Sequence, residues 1–571
     1  MPTPTRPTLY HAAVLLFAAA CLPIAQPAAA APQSTGATPR GHLVDARWLE
    51  KHLANPDVLV LDASPSQLYA AQHIPGAVSV DLMTYGGAQE KPLAEMERLY
   101  QSWGVSPGKT VVLYDQGGTF LATRTFFSLY YHGFPPTNLF ILDGGLAKWQ
   151  EAKLPITKDA GTPKAGNFRI KASNEDVRVR LPEFLAASAD PARHVLLEAL
   201  GADWHFGQVA PFGRGGHPPN GVMLPAADWF NSDKTFKSPD ELRRMLAYFD
   251  IRPEQQVHSY CGGGVAASVP FFALKFILGY PKVTLYVESE LGYLSDEREL
   301  PMWTYDAPFL MRDAKWLQGW GGQMVRTYVG AKVSVLDVRP ADAFNAGHVP
   351  FALHVSADAF ASNLTTPAKL AAMLGPAGVD ASHEAVIVSG AGLTKEAALA
   401  FVMLDKLGQK RVSVLTDSMT RWAELGFPLT KTPTVVAPKK NPRDPSIAPT
   451  IYPANVRKDV LIANPSESQG LYPKVFVASG SALPAHAPDG MVVHVPYTEV
   501  LNADGTPKAA KDIWNILAKA GVPRQAELVC LSDDPGEAAV NYVILKLMGY
   551  PDVKVLLAAA PAAREGLPIS R

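Results

Sequence analysis

"VHSYCGGGVAASVPFFALKFILGY", from Val257 to Tyr280, holds a short strand-like run ending in Cys261, three glycines (Gly262 to Gly264) and an apolar, helix-like stretch that reaches Gly279. A strand that turns through glycines into a helix is a piece of an α/β unit, with a thiol at the turn. Three more segments share its landmarks. Early apolar strands read "VLVLDAS" (Val58 to Ser64), "HVLLEAL" (His194 to Leu200), "VSVLDVR" (Val333 to Arg339) and "DVLIANP" (Asp459 to Pro465). A His with Pro two residues on follows in each, at His73, His217, His348 and His486, spaced 144, 131 and 138 residues apart. Each segment then has a second strand, a helix ending in Gly133, Gly279, Gly408 or Gly549, a further strand, and a closing Pro155, Pro301, Pro428 or Pro568. Recurrence at this spacing means repeated units of one architecture. Short apolar strands alternating with helices predict an α/β fold with a mainly parallel sheet in each unit. The regular recurrence of the histidines favours a shared packing role.

The repeats divide the 571 residues into units at 41–157, 175–306, 312–430 and 450–571. "KDAGTPKAGNF" (Lys158 to Phe168) separates the first two, and 431–449 is expected to be an extended spacer because of its prolines and charges. A net charge of −1 gives no basic surface, so nucleic acid is not an expected partner. Residues 1–30 read as a signal peptide: Arg6, an apolar run from Ala12 to Ala25, and small residues for cleavage near Ala30. That run is shorter than the roughly 20 residues needed to cross a bilayer, so no stable membrane insertion is expected. The expectation is a periplasmic or secreted protein. Lipidation at Cys21 is the alternative, and Ala18 fits it poorly, since a larger aliphatic residue is expected there. Of the three cysteines, Cys261 and Cys530 fall in different repeats, one at a loop and one in a strand, so no disulfide is expected.

The loop has a chemical logic. The thiolate is the nucleophile, and its ionisation is favoured by a helix N-terminus and by peptide N–H groups turned inward through glycines. Cys261 with Gly262, Gly263, Gly264, Val265 and Ala266 has this form.

Together with "LDVRPADAF" (Asp337, Arg339), "GHVP" at His348 and "ILDGGLAKW", the segment "YCGGGVAA" resembles the rhodanese family, whose active loop reads Cys-x-x-Gly-Val-Thr/Ala-Ala. The resemblance covers nearly all of the chain after its leader, as four tandem rhodanese-like domains. It implies a five-stranded sheet flanked by helices in each. It implies sulfur transfer: Cys261 takes a sulfane sulfur from a small anionic donor, thiosulfate or mercaptopyruvate, and passes it as a persulfide to cyanide or a thiol. Residues 262–266 would then hold the donor. Tandem rhodaneses often pair an inactive first domain with an active second, as copies one and two would here. The other copies lack the nucleophile, with Asp115 in copy one, Ser389 or Gly390 in copy three, and Leu531 or Ser532 in copy four; Cys530 falls inside a strand and reads as core. Gly262 and Gly263 replace the charged or Ser-bearing loop of the family's donor-specific members, and Leu200 replaces its substrate-binding Arg. Without that serine, Asp62 and His73, which match family positions that assist it, have no clear role. Arg214 and His217 are the candidate charges for the donor, against a solvated or structural role for each. No metal or organic cofactor is implied. A phosphatase loop would need Arg six residues after Cys261, where Ala267 stands. The rival reading is a non-catalytic binding, sulfur-carrier or redox-sensing protein.

Overall fold

The computed structural model describes residues 41–85, 91–321, 325, 332–441, 444, 446–483 and 488–557. The leader, His486 and Pro568 lie outside the described residues. Four sheets of five strands follow one another along the chain. The first contains β1 (Leu43–Val44), β2 (Val58–Asp62), β3 (Val78–Ser79), β4 (Thr110–Tyr114) and β5 (Leu139–Leu142), in the order β1-β5-β4-β2-β3. The second contains β6 (Arg178–Val179), β7 (His194–Glu198), β8 (Gly221–Met223), β9 (Gln256–Tyr260) and β10 (Val283–Tyr286), in the order β6-β10-β9-β7-β8. The third holds β11 (Met311–Arg312), β12 (Val333–Asp337), β13 (Leu353–His354), β14 (Glu384–Val388) and β15 (Arg411–Leu415). The fourth holds β16 (Leu461–Ile462), β17 (Lys474–Ala478), β18 (Met491–His494), β19 (Glu527–Leu531) and β20 (Val553–Leu556). The last two repeat the same order, and all pairings are parallel. The expected fold, tandem α/β units with a parallel five-stranded sheet flanked by helices, is what the structure shows. The central strands are buried on both faces, which is why they read as continuous Val/Leu runs. The helix-ending glycines Gly133, Gly279, Gly408 and Gly549 all take the left-handed conformation that stops a helix.

Two sequence expectations are corrected. The counterpart of β2, β7 and β12 in copy four is β17, not "DVLIANP"; Leu461–Ile462 of that segment forms the edge strand β16. An edge strand of two residues leaves too short a pattern to tell it from a central one. The spacer at 431–449 is folded against itself: Ala437 N–H donates to Ile447 O and Ile447 N–H to Val435 O, each at 2.9 Å. Its β-branched residues give it an internal partner that prolines and charges alone would not. The segment between copies one and two is docked too. Gly166 N–H donates to Gln101 O at 2.7 Å, Phe168 N–H to Val105 O at 3.1 Å, and Phe168 is buried.

The chain divides into two compact units, one ending at Thr304 and one beginning at Tyr305. In the first, copies one and two share a core. One apolar cluster runs from Leu61 through Phe126 and Phe127 to Phe271, Phe272 and Val287. The helix Leu121–Tyr131 of copy one lies against the helix Ser268–Phe272 that follows the Cys261 loop, with Phe126 edge-on to Phe272 at 4.9 Å. The Thr123 and Ser268 hydroxyls meet across this contact at 2.8 Å. The apolar stretch after Cys261 is therefore helical as expected, but it passes into a π-turn over Ala273–Ile277. In the second unit, the helices Lys395–Lys406 and Pro535–Leu547 come together in the same way, and Tyr542 donates to Asp405 at 2.5 Å. No helix among the described residues is long and apolar enough to cross a membrane.

Candidate active site

Cys261 is the first residue beyond β9, and its side chain is buried. Its peptide is held from both sides. Cys261 N–H donates to Ser289 Oγ at 3.0 Å, and Glu290 N–H donates to Cys261 O at 3.0 Å. Leu291 N–H continues the clamp to Gly262 O at 2.9 Å. Ser259 Oγ donates to Ala267 O at 2.6 Å and Ser268 Oγ to Val265 O at 2.6 Å, which closes the loop onto the helix start. The peptide N–H groups of Gly262 to Ala267 donate to no acceptor among the described residues. Gly264 has a φ of +77°, and a Cβ there would lie 2.1 Å from Val287 O, so only glycine fits.

Copy one shows what this loop geometry binds. Asp115 stands at the Cys261 position, since Leu146 N–H donates to Asp115 O as Glu290 N–H does to Cys261 O. The Asp115 carboxylate accepts from Gly117 N–H at 2.8 Å, Leu121 N–H at 3.1 Å and Ala122 N–H at 2.9 Å. Thr123 and Ser268 occupy equivalent places, each hydroxyl donating to the carbonyl three residues back, so Leu121 and Ala122 are the counterparts of Ala266 and Ala267 in a copy-two loop one residue shorter. The loop is thus an anion cradle that copy one fills with its own side chain. By strand register, Ser389 and Ser532 take the thiol's place in copies three and four. Cys530 lies inside β19, wholly buried, and burial pushes its thiol pKa up. Cys261 and Cys530 are both free.

Beneath the loop lies a buried polar group. Glu198 ends β7 at the position of Asp62 and Asp337, and Glu290 opens the helix Ser289–Leu294. Both side chains are buried, and the Glu198 carboxyl neighbours that of Glu290. Burial, then the neighbouring Glu198, then Cys261 push the Glu290 pKa well above the usual carboxylate range. Glu198 is hydrogen-bonded to His205 Nδ1. The His205 ring stacks on His217 at 3.6 Å, and His217 Nδ1 contacts His205 O at 3.0 Å. Glu198, His205 and His217 place donor atoms suited to a metal within 4.8 Å of one another. Their two rings are parallel, so the in-plane lone pairs run side by side instead of converging, and the set reads as a hydrogen-bonded cluster.

His217 is thus fully buried, with backbone hydrogen bonds to Trp303, as His73 and His348 bond to Thr157 and Thr430. Arg214 is exposed and donates to Leu300 O at 2.8 Å. Sequence reasoning missed Ser289, Glu290, Glu198 and His205. Glu198 could have been found, as it occupies the Asp of the Asp-x-Arg landmark.

A sequence model of the Rhodanese-like domain matches residues 45–152 and 324–425. A probable 3-mercaptopyruvate sulfurtransferase of Pseudomonas aeruginosa is 32% identical over 276 residues, covering 45% of this chain and 96% of the relative. The chain belongs to the rhodanese family. The sulfur carrier protein TtuD of Thermus thermophilus is 28% identical, over 43% of this rhodanese and 90% of its own length. The solved 3-mercaptopyruvate sulfotransferase SseA of Escherichia coli is 27% identical, covers 44% of this chain and 98% of its own, and superposes with a TM-score of 0.41. The relatives support sulfur transfer as the class of reaction.

Proposed function

We propose that the protein is a sulfurtransferase that moves a sulfane sulfur from a small anionic donor, of the thiosulfate or mercaptopyruvate type, to a thiophilic acceptor through a Cys261 persulfide. The observation that supports it most is the ring of uncommitted peptide N–H groups around Cys261, in a loop whose counterpart in copy one already binds a carboxylate. With thiosulfate, the Cys261 thiolate attacks the outer sulfur, the S–S bond breaks, and sulfite leaves with the bonding pair. Cyanide then attacks the outer sulfur of the persulfide, giving thiocyanate and the thiolate again. The loop N–H groups stabilise the thiolate, the persulfide and the arriving anion without any side-chain charge. Copies one, three and four are non-catalytic in this reading, and the protein acts outside the cytoplasm after loss of its leader.

Sulfur transfer from thiosulfate, and separately from mercaptopyruvate, to cyanide tests this in wild type and Cys261→Ser. Intact mass is recorded for a gain of about 32 Da, one sulfur. Transfer and adduct in wild type, both lost in the variant, are expected. No adduct from either donor would sink these donors and favour a binding or carrier protein.

A further inference from the structure

Position 290 sets copy two apart from copies one and three. Its counterpart in copy one is Leu146, a core residue three before Trp149, whose indole donates to Pro155 O. In copy three it is Met419, three before Trp422, whose indole donates to Pro428 O, and it packs on that copy's core. The copy that carries the thiol therefore puts a carboxyl where the other two put an apolar side chain. The partners change with it. Asp337 in copy three is neutralised by Arg339 at 2.6 Å. In copy two Leu200 replaces that arginine, and Glu198 turns to His205 instead. The rings matching His205 are Tyr69 and Phe344, which stack on His73 and His348.

Two neighbouring buried carboxyls oppose each other's ionisation, so one keeps a proton. The Glu290 Oε1 atom is buried with no hydrogen-bond partner, and its own N–H holds the Cys261 carbonyl. The titratable groups around the pair are Cys261 at the end of β9, His205 on Glu198 and His217 on His205. Tyr260, Tyr286 and Tyr293 belong to the apolar cluster around Phe184 in the same copy. Arg178 and Arg180 are spent on Glu288, at 2.8 Å and 3.6 Å.

We propose that Glu290 is a positioning residue that governs the charge of Cys261: while the Glu198–Glu290 pair holds its proton the thiolate is tolerated, and loss of that proton places a second negative charge beside it and opposes it. Thiol and carboxyl thus compete for one negative charge, which gives the loop a ceiling on reactivity as pH rises. The proposal rests on Cys261 being the reactive thiol, not on any particular donor.

The test is alkylation of Cys261 by iodoacetamide in the full chain, followed by peptide mass between about pH 5 and pH 10, a range that spans ordinary thiol ionisation. Glu290→Gln keeps the shape and removes the charge. Its profile is expected to move to lower pH by about half a unit to one unit, a roughly three- to tenfold faster reaction below the midpoint. Glu198→Gln is expected to move it the same way. Glu290→Leu, which installs the residue copy one carries, serves if Glu290→Gln does not fold. Superimposable profiles, a shift to higher pH, or no alkylation of native Cys261 at any pH would each overturn the proposal. Alkylation needs no sulfur donor, so a failure of sulfur transfer in wild type is distinguishable from a failure here.

Discussion

Gly264 carries the shape of the Cys261 loop. Its left-handed backbone and the closeness of Val287 O leave no space for a methyl group. Gly264→Ala is expected to destabilise the first unit by about 2 kcal/mol or more and to slow persulfide formation at least tenfold. Urea unfolding and the intact-mass assay check this; a variant that matches wild type in both would show that the loop can open at no cost. This glycine and Cys261 were legible in the sequence because glycine is the residue that a left-handed turn demands. Ser289 was not: it has the same conformation, with φ of 50°, but serine gives no such sign. Glu290 was hidden as well. A glutamate in "VESELGY" reads as a solvated helix start, and only its coincidence with Leu146 shows it to be a core position.

Among the elements, β9 carries the thiol at its end and a buried imidazole at its middle. His258 Nδ1 contacts Thr284 Oγ1 at 2.8 Å, and its Nε2 contacts His194 Nδ1 at 3.0 Å. Burial, and then His194, hold its pKa down to about 4. The folded state therefore binds this proton more weakly than the unfolded chain, whose histidine titrates near pH 6.5. Stability from this group is present above about pH 6.5 and is lost as pH falls through about 4, a change of about 3 kcal/mol. His258→Gln should lose about that much less stability than wild type between pH 7.5 and pH 4, as read from urea midpoints at the two values. Equal losses would refute the assignment. The central strands were legible because five apolar residues between turn signals leave little choice. The edge strands were not, since two residues carry no pattern, and that is why β16 was mistaken for a central strand. The π-turn at Ala273–Ile277 has no sequence signature of its own.

At the scale of the molecule, the four repeats were legible from recurring landmarks, but their pairing through facing helices was not, because periodicity shows that a face is apolar without showing what covers it. The first unit makes the consequence testable. Copy one has a private core around Leu49, Tyr114 and Trp149, and copy two has one around Phe184, Tyr260 and Tyr286. Between the two sheets runs the cluster they share, and Phe272 sits inside it, fully buried, against Phe126 of copy one and Phe236 of copy two. Removing that ring takes packing from both copies at once. Phe272→Ala is expected to cost about 3–5 kcal/mol, and the loss should be felt as one cooperative event. Amide hydrogen exchange would then accelerate by a common factor in β2 and β4 of copy one and in β7 and β9 of copy two. Acceleration confined to β7 and β9 would mean that copy one stands alone, and that the Cys261 loop is held only by its own domain.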